Sequence, residues 1–481
     1  MASLKRNFFY SALLTVANYL FPLITYPYVS RVLGVSGIGA CNFVDNIINY
    51  FLVFSTMGIS VLGVREIAAA RNDREDRSRV FSSLLALNAA TTFIAAIVLI
   101  LVIYVVPTLA PYRRLLWIGV AKLIANSLFL EWLFRGVEEF KFITNRSILI
   151  KILYVVSVFL FVRKAEDYWI YFLLLSLSAV ANALVNFIYS RHFVRISLRN
   201  IRPGMFVRPY FLLGVNYILT SMYTSFNVIY LGFIQDSVQV GYYSSATKVL
   251  SIITALFTAC TTVLLPRMSA VLSEGREEEF KSFVDKTFSI LFLVGIPLVF
   301  LIEMTAGDIV RVLSGAGYEG AVIPLMIVAP LVLIIGLEEI LIIQVMMPRK
   351  MDRRILINSV CGAVVGLSLN LLLVRTMKAE GSAIVWLCSE SAVFLSAACA
   401  VFGRRGGHQF PLRRLIEDVL LYGPLMIILS LLQRLPVPSS FIRLVLCGLM
   451  SGVYFLVVSC FIVKDPVILG VIRSSLKRKT A

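Results

Sequence analysis

Three lysines stand where an apolar chain has reason to exclude them. Lys122, Lys151 and Lys248 each lie inside a run of predominantly apolar residues. About 20 such residues span a bilayer as a helix. A charge at mid-bilayer costs roughly 2.5–3.5 kcal/mol on insertion scales, so it needs a partner or a wet cavity. Arg31 closes the first of these runs. Lysine and arginine lining a cavity match an anionic cargo, a pyrophosphate above all, by charge and by hydrogen-bond geometry. Blander readings stand beside this one. Lys122 and Lys151 would snorkel or pair with a buried acid, and Arg31 would anchor at headgroup level. The acids within the runs are Asp45, Glu131, Glu338, Glu339 and Glu390. Of these, Asp45, Glu131, Glu338 and Glu390 are the candidates to bind a coupling H+ or Na+. Glu131 also lies four residues before Arg135, a spacing that favours a structural pair on one helix face.

Neutral polar residues fall on helical faces too. Thr15, Asn18 and Thr25 cluster near Pro22, and Asn42, Asp45, Asn46 and Asn49 share one side of the next run. Asn216, Thr220, Thr224 and Asn227 form a stripe in a later run, followed by Ser244, Lys248 and Ser251. Such faces are poorly suited to lipid. Together they predict a hydrated central cavity whose substrate-binding residues are Arg31, Asn46, Lys122, Lys151, Asn216, Asn227 and Lys248. The competing reading is interhelical hydrogen bonding, which is the better one for any single Asn or Thr. Arg65 and Arg267 begin two charged connections and are candidate gate residues. The seven cysteines lie in apolar stretches with no C-x-x-C pair, and His192 and His408 fall in basic segments. This spacing predicts no metal site. The absence of G-x-x-x-x-G-K-[ST] predicts that ATP bound to this chain drives nothing. No cofactor is expected beyond the coupling ion.

The elements that hold these residues follow from composition. The chain has 481 residues, 59% hydrophobic and 15% charged. A soluble domain carries about 25% charged residues. The net charge of +18 sits mostly in short connections, which points to a membrane and away from nucleic acid. The pattern predicts an all-α membrane protein with about fourteen transmembrane helices. The N-terminal apolar run reads as the first span and not as a removed signal peptide. Lys and Arg concentrate in alternate connections, which places both termini in the cytoplasm. No loop is long enough to fold alone, which argues against a membrane-embedded glycan transferase or ligase, whose catalytic acids need a folded external loop.

A shift of 202 positions aligns the chain with itself. Gly34–Gly39 falls on Asp236–Gly241, Val61–Arg65 on Val263–Arg267, and Arg74–Asp76 on Arg276–Glu278. Lys248 then falls on Asn46. Six spans separate the copies, so they share orientation. This predicts a six-helix lobe over 1–200, a pseudo-symmetric six-helix lobe over 201–405, and two further helices with a basic cytoplasmic tail over 406–481. Paired bundles of this kind suit alternating access.

Several stretches resemble bacterial polysaccharide flippases for O-antigen or capsule. They are Tyr28-Val-Ser-Arg31-Val-Leu-Gly-Val-Ser-Gly-Ile-Gly39, Gly58 to Ala68, Glu131 to Lys141, and Glu380 to Glu390. That family belongs to the multidrug/oligosaccharidyl-lipid/polysaccharide exporter superfamily. The resemblance implies that spans 1, 2, 7 and 8 line the cavity. It implies an undecaprenyl-pyrophosphate-linked oligosaccharide as cargo, flipped to the periplasmic leaflet of the bacterial inner membrane with no enzymatic step. Membrane lipids, a polysaccharide polymerase and a chain-length regulator are the expected partners. The alternatives within the superfamily are a multidrug exporter and a peptidoglycan lipid-precursor flippase. The excess of buried lysine argues against a cavity for cationic drugs.

Overall fold

The computed structural model describes residues 2–197, 201–403 and 410–462. Among them every regular element is a helix, as expected where lipid leaves backbone groups no partner outside their own segment. In chain order they are α1 (Ala2–Thr56), α2 (Ile59–Ala69), α3 (Arg74–Val105), α4 (Arg113–Asn126), α5 (Glu131–Gly136), α6 (Phe140–Phe161) and α7 (Tyr168–Ser190). There follow α8 (Gly204–Thr224), α9 (Phe226–Ile234), α10 (Ser237–Ser273), α11 (Glu277–Leu313), α12 (Val322–Val328) and α13 (Leu331–Glu339). A π-helical segment, Ile340–Met346, leads to α14 (Asp352–Phe402), α15 (Leu412–Gln433) and α16 (Ser440–Val457).

Ten stretches are long and apolar enough to cross a membrane, and α8 with α9 makes an eleventh, bent by 48°. Two of the ten hold a pair of predicted spans each. Phe9–Ala69 breaks at Gly34, where φ is 67°, and Asp352–Phe402 breaks at Lys378, where φ is 52°. A left-handed residue reverses a helix without a loop, and glycine takes that conformation at little steric cost. With α10 the spans number 14. The protein is a multi-pass membrane protein. The predicted fourth span is broken: α4 stops at Asn126 and α5 starts at Glu131. Lys122 stands on α4 and Glu131 on α5. The ninth span continues past Glu303 to Leu313 with a kink at Thr305.

The chain packs as two compact units. One comprises residues 1–244 and 363–386, the other 245–362 and 387–481. In the first, Leu62, Ile67, Phe81, Leu84, Leu133 and Phe134 form a buried cluster with Tyr210. The segment after α7 is strapped to α3. The Ser78, Ser82 and Ser83 hydroxyls accept the backbone N–H groups of Arg195, Ser197 and Arg202 at 3.0, 3.1 and 3.0 Å. In the second unit, Phe288, Phe292 and Ile296 of α11 pack with Tyr422, Leu425 and Leu429 of α15.

The 202-residue shift has a geometric counterpart inside the first unit. It maps Val35 onto Ser237 and Gly39 onto Gly241. A Cβ on Gly39 would strike the Ser237 carbonyl, and a Cβ on Gly241 would strike the Val35 carbonyl. Beside them Ser36 Oγ and Ser237 Oγ share a hydrogen bond of 2.8 Å. When i touches j′ and i′ touches j, the contact is that of a local twofold axis. The helix starts follow nearly the same shift for α3, at Arg74, and α11, at Glu277, which are 203 positions apart. It then slips. Phe140 and Asp352, which open α6 and α14, are 212 positions apart; α11 has 37 residues where α3 has 32, which accounts for half of the slip.

Candidate functional site

In the first unit the predicted cations and acids meet as pairs. Lys122 Nζ on α4 lies 2.6 Å from Asp45 Oδ1 on α1, with side-chain exposures of 12% and 23%. Asn49, one turn along α1, donates its Nδ2 to Asp45 Oδ2 at 3.1 Å. Lys122 and Asp45, assigned separately to cargo and to ion, therefore form one group. Lys151 on α6 donates to Asn18 Oδ1 on α1. Asn46 donates to the Asn42 carbonyl at 2.9 Å. Arg31 Nη1 reaches the Pro27 carbonyl at 2.5 Å and its side chain is exposed. Asn227 is fully buried and accepts from Asn370 Nδ2 at 2.6 Å. The side chain of Asn216 lies outside the described residues.

A second ion pair sits in the same unit. Glu131 opens α5 and takes Arg135 at 3.3 Å, as the four-residue spacing predicts, but its nearer partner is Arg146 Nη2 at 2.9 Å. Arg146 lies on α6, 5% exposed, bonded also to Ser147 and Asn186 and near the rings of Phe129 and Phe142. A buried guanidinium of this kind is held by its carboxylate and fixes that carboxylate in turn.

The second unit handles its acids differently. Glu339 Oε2 accepts from Thr261 Oγ1 at 3.1 Å, and its Oε1 from Thr258 Oγ1 at 2.5 Å. Glu338 lies close enough to Glu390 for a side-chain hydrogen bond between the two carboxyl groups. Glu390 is 5% exposed. Both Glu338 and Glu339 stand at the end of α13, where the backbone passes into the π-helical segment. π-helical turns often occur at functional sites. Gln344 in that segment is fully buried. Lys248, half-buried on α10, belongs to this unit. Of the candidate gates, Arg65 pairs with its neighbour Glu66 at 2.8 Å and Arg267 stacks over Phe283 at 4.5 Å.

The sequence and the fold have known relatives. Residues 4–272 match the family described as "Polysaccharide biosynthesis protein". The chain belongs to that family. A relative from Escherichia coli strain K12 named "Putative O-antigen transporter" is 28% identical over 396 residues, covering 81% of this chain and 95% of its own. One of the same name from Shigella dysenteriae is 24% identical over 284 residues, 58% of this chain and 70% of its own. Among solved structures, "Lipid II flippase MurJ, inward closed conformation" superposes with a TM-score of 0.76 at 13% identity, covering 94% of this chain and 98% of that one. An inward-facing multidrug resistance MATE family transporter of the MOP superfamily gives 0.58 at 16% identity, covering 85% and 95%. At such identities the likeness is one of fold. In this polysaccharide biosynthesis protein, then, the MOP-type helix arrangement places Asp45 beside Lys122 and Glu131 beside Arg146. Sequence reasoning missed Arg146 and Asn370. The only signal for Arg146 was a basic residue followed at once by the apolar run of α6.

Proposed function

We propose that this protein flips an undecaprenyl-pyrophosphate-linked oligosaccharide from the cytoplasmic to the periplasmic leaflet of the bacterial inner membrane, by alternating access. The observation that carries the reading is the reciprocal contact of residues 35–39 with 237–241. With both termini in the cytoplasm, as the Lys/Arg bias favours, this contact lies at the outer face. Equivalent glycines meeting there form a closure that two similar halves make and break together. The O-antigen transporter relatives favour a lipid-linked glycan as cargo. Lys122 supports an anionic headgroup, because its ammonium can pass from Asp45 to a pyrophosphate without ever being unpaired. Glu338 and Glu390 support a proton as the coupling ion. Two carboxyl groups hydrogen-bond to each other only when one of them carries a proton. A polysaccharide polymerase and a chain-length regulator would receive the flipped unit.

A disulfide across the closure tests this reading. Protein with Ser36→Cys and Ser237→Cys, reconstituted in liposomes with fluorescent undecaprenyl-pyrophosphate-linked sugar, should lose flipping under oxidant and regain it under reductant. Either single variant should be insensitive. Flipping at the uncrosslinked rate by crosslinked protein would refute an opening at this contact. A wild-type protein that moves no lipid-linked sugar would refute the cargo.

A further inference from the structure

One cavity of the first unit is not accounted for by ion pairing. It holds about 480 Å³ and lies among α1, the start of α2, α3 and the broken fourth span. Its volume falls in the range of small-ligand sites. Its polar lining is mostly neutral: Asn49, Thr56, Ser60, Asn88 and Asn126. The two charged groups, Glu131 and Arg135, are bonded to each other at 3.3 Å, and Glu131 is further neutralised by Arg146. Phe129 supplies a flat apolar wall.

The chemistry of this lining separates two parts of one cargo. A pyrophosphate needs net positive charge and several N–H donors converging on its oxygens. Here the lining itself carries one carboxylate and one guanidinium, with Arg146 buried behind the carboxylate, so no set of converging cations faces the cavity. Asparagine amides donate and accept at once, and a carboxylate accepts from hydroxyl groups. Such pairs match the donor–acceptor alternation of adjacent hydroxyls on a sugar ring, and an aromatic face suits its C–H side. Two asparagines are anchored from behind. Asn49 bonds Asp45 through Nδ2, which leaves its Oδ1 available, and Asn88 bonds the Ser127 carbonyl at 3.4 Å and Tyr210 at 3.3 Å. Asn49 also connects this cavity to the Asp45–Lys122 pair, so a sugar in the cavity would bring an attached anionic group toward Lys122.

Resting on the flippase reading, we infer that this cavity reads the glycan, binding a neutral or N-acetylated sugar through its hydroxyl and amide groups while the pyrophosphate is held elsewhere. Asn126 and Ser60 are the residues to test, because neither belongs to an ion pair. Two probes are needed: undecaprenyl pyrophosphate, and the same lipid carrying one N-acetylglucosamine. Purified protein in nanodiscs should bind the glycosylated probe more tightly. Asn126→Ala should weaken that probe by up to about tenfold, the scale of one neutral hydrogen bond, and leave the bare lipid unchanged. Ser60→Trp, which fills the cavity from its exposed rim, should do the same, so a folding defect in one variant does not decide the outcome. Equal weakening of both probes would assign the cavity to the pyrophosphate and overturn the inference. Equal wild-type affinity for the two probes would overturn it as well. A wild-type protein that binds neither probe would overturn the flippase reading itself, and the inference with it.

Discussion

In the first unit Asp45 faces Lys122 and Glu131 faces Arg146; in the second, Glu339 faces two threonine hydroxyls and Glu338 faces another carboxyl group. The first arrangement neutralises charge with charge. The second sets its acids against hydroxyl groups and another carboxyl group, and none of these partners carries a positive charge. The second unit is able to build an opposite-charge pair where one is wanted. Buried Asp308 on α11 takes Arg443 of α16, Nε at 2.7 Å, and Gln433 of α15 at 2.9 Å, which ties the last two helices to α11. Acids left to hydroxyls and to one another are therefore a feature of that position. On the proposed function, cargo binding and ion binding would then rest on different chemistry.

The comparison is broken most severely by removing one half of a buried pair. Arg146→Ala should cost about 3 kcal/mol, the low end for breaking a buried pair, because it removes the nearer partner of Glu131 and leaves it only the exposed Arg135. Thermal unfolding in detergent followed by size exclusion would read the loss. Adding Glu131→Gln to the same chain should recover much of it. Equal melting of wild type and Arg146→Ala would mean that the pair contributes little and that the first unit is no different from the second.

Legibility from sequence followed distance along the chain. The spans were visible because lipid demands about 20 apolar residues in a row. The reversals at Gly34 and Lys378 were placed as boundaries between spans, but a single left-handed residue within a continuous helix leaves no polar loop to be seen. Glu131 with Arg135 was legible at four residues' spacing. Glu131 with Arg146 was not, since no helical period relates residues 15 apart across a turn. Asp45 and Lys122, 77 positions apart, were each recognised as out of place in an apolar run, and nothing in their types said that each was the other's reason. The contact of Gly39 with the segment holding Gly241 was half legible. The repeat shift made the two residues equivalent, and only the fold made them neighbours.

A sharper contrast sets Asp45→Asn against Glu338→Gln. Asp45→Asn removes the counter-charge of Lys122 and should destabilise the protein by about 1.5–3 kcal/mol, the range for a hydrogen bond to a charged group. It should also slow flipping with or without a pH gradient. Glu338→Gln substitutes an amide for a carboxyl already bonded to a neighbour, so its melting should move by under about 1 kcal/mol. Its flipping should instead lose acceleration by an imposed pH gradient. Liposomes assayed with and without that gradient separate the two. Gradient dependence that survives Glu338→Gln and Glu390→Gln alike, yet vanishes in Asp45→Asn, would place proton coupling in the first unit and reverse the assignment.

The smallest effect belongs to the exposed end of the same comparison. Arg65 pairs with Glu66 as Lys122 pairs with Asp45, at 2.8 and 2.6 Å, but the Arg65 side chain is 63% exposed. Water and salt screen such a pair, and the entropy of fixing a long side chain offsets most of its attraction. Arg65→Ala should change stability by about 0–1 kcal/mol. If Arg65 acts only through that pair, its removal should also leave the flipping rate intact. A loss of flipping without a loss of melting temperature would show that Arg65 works on the moving chain, as a gate residue would, and that a weak pair at an exposed position holds a cation in reserve just as the buried one does.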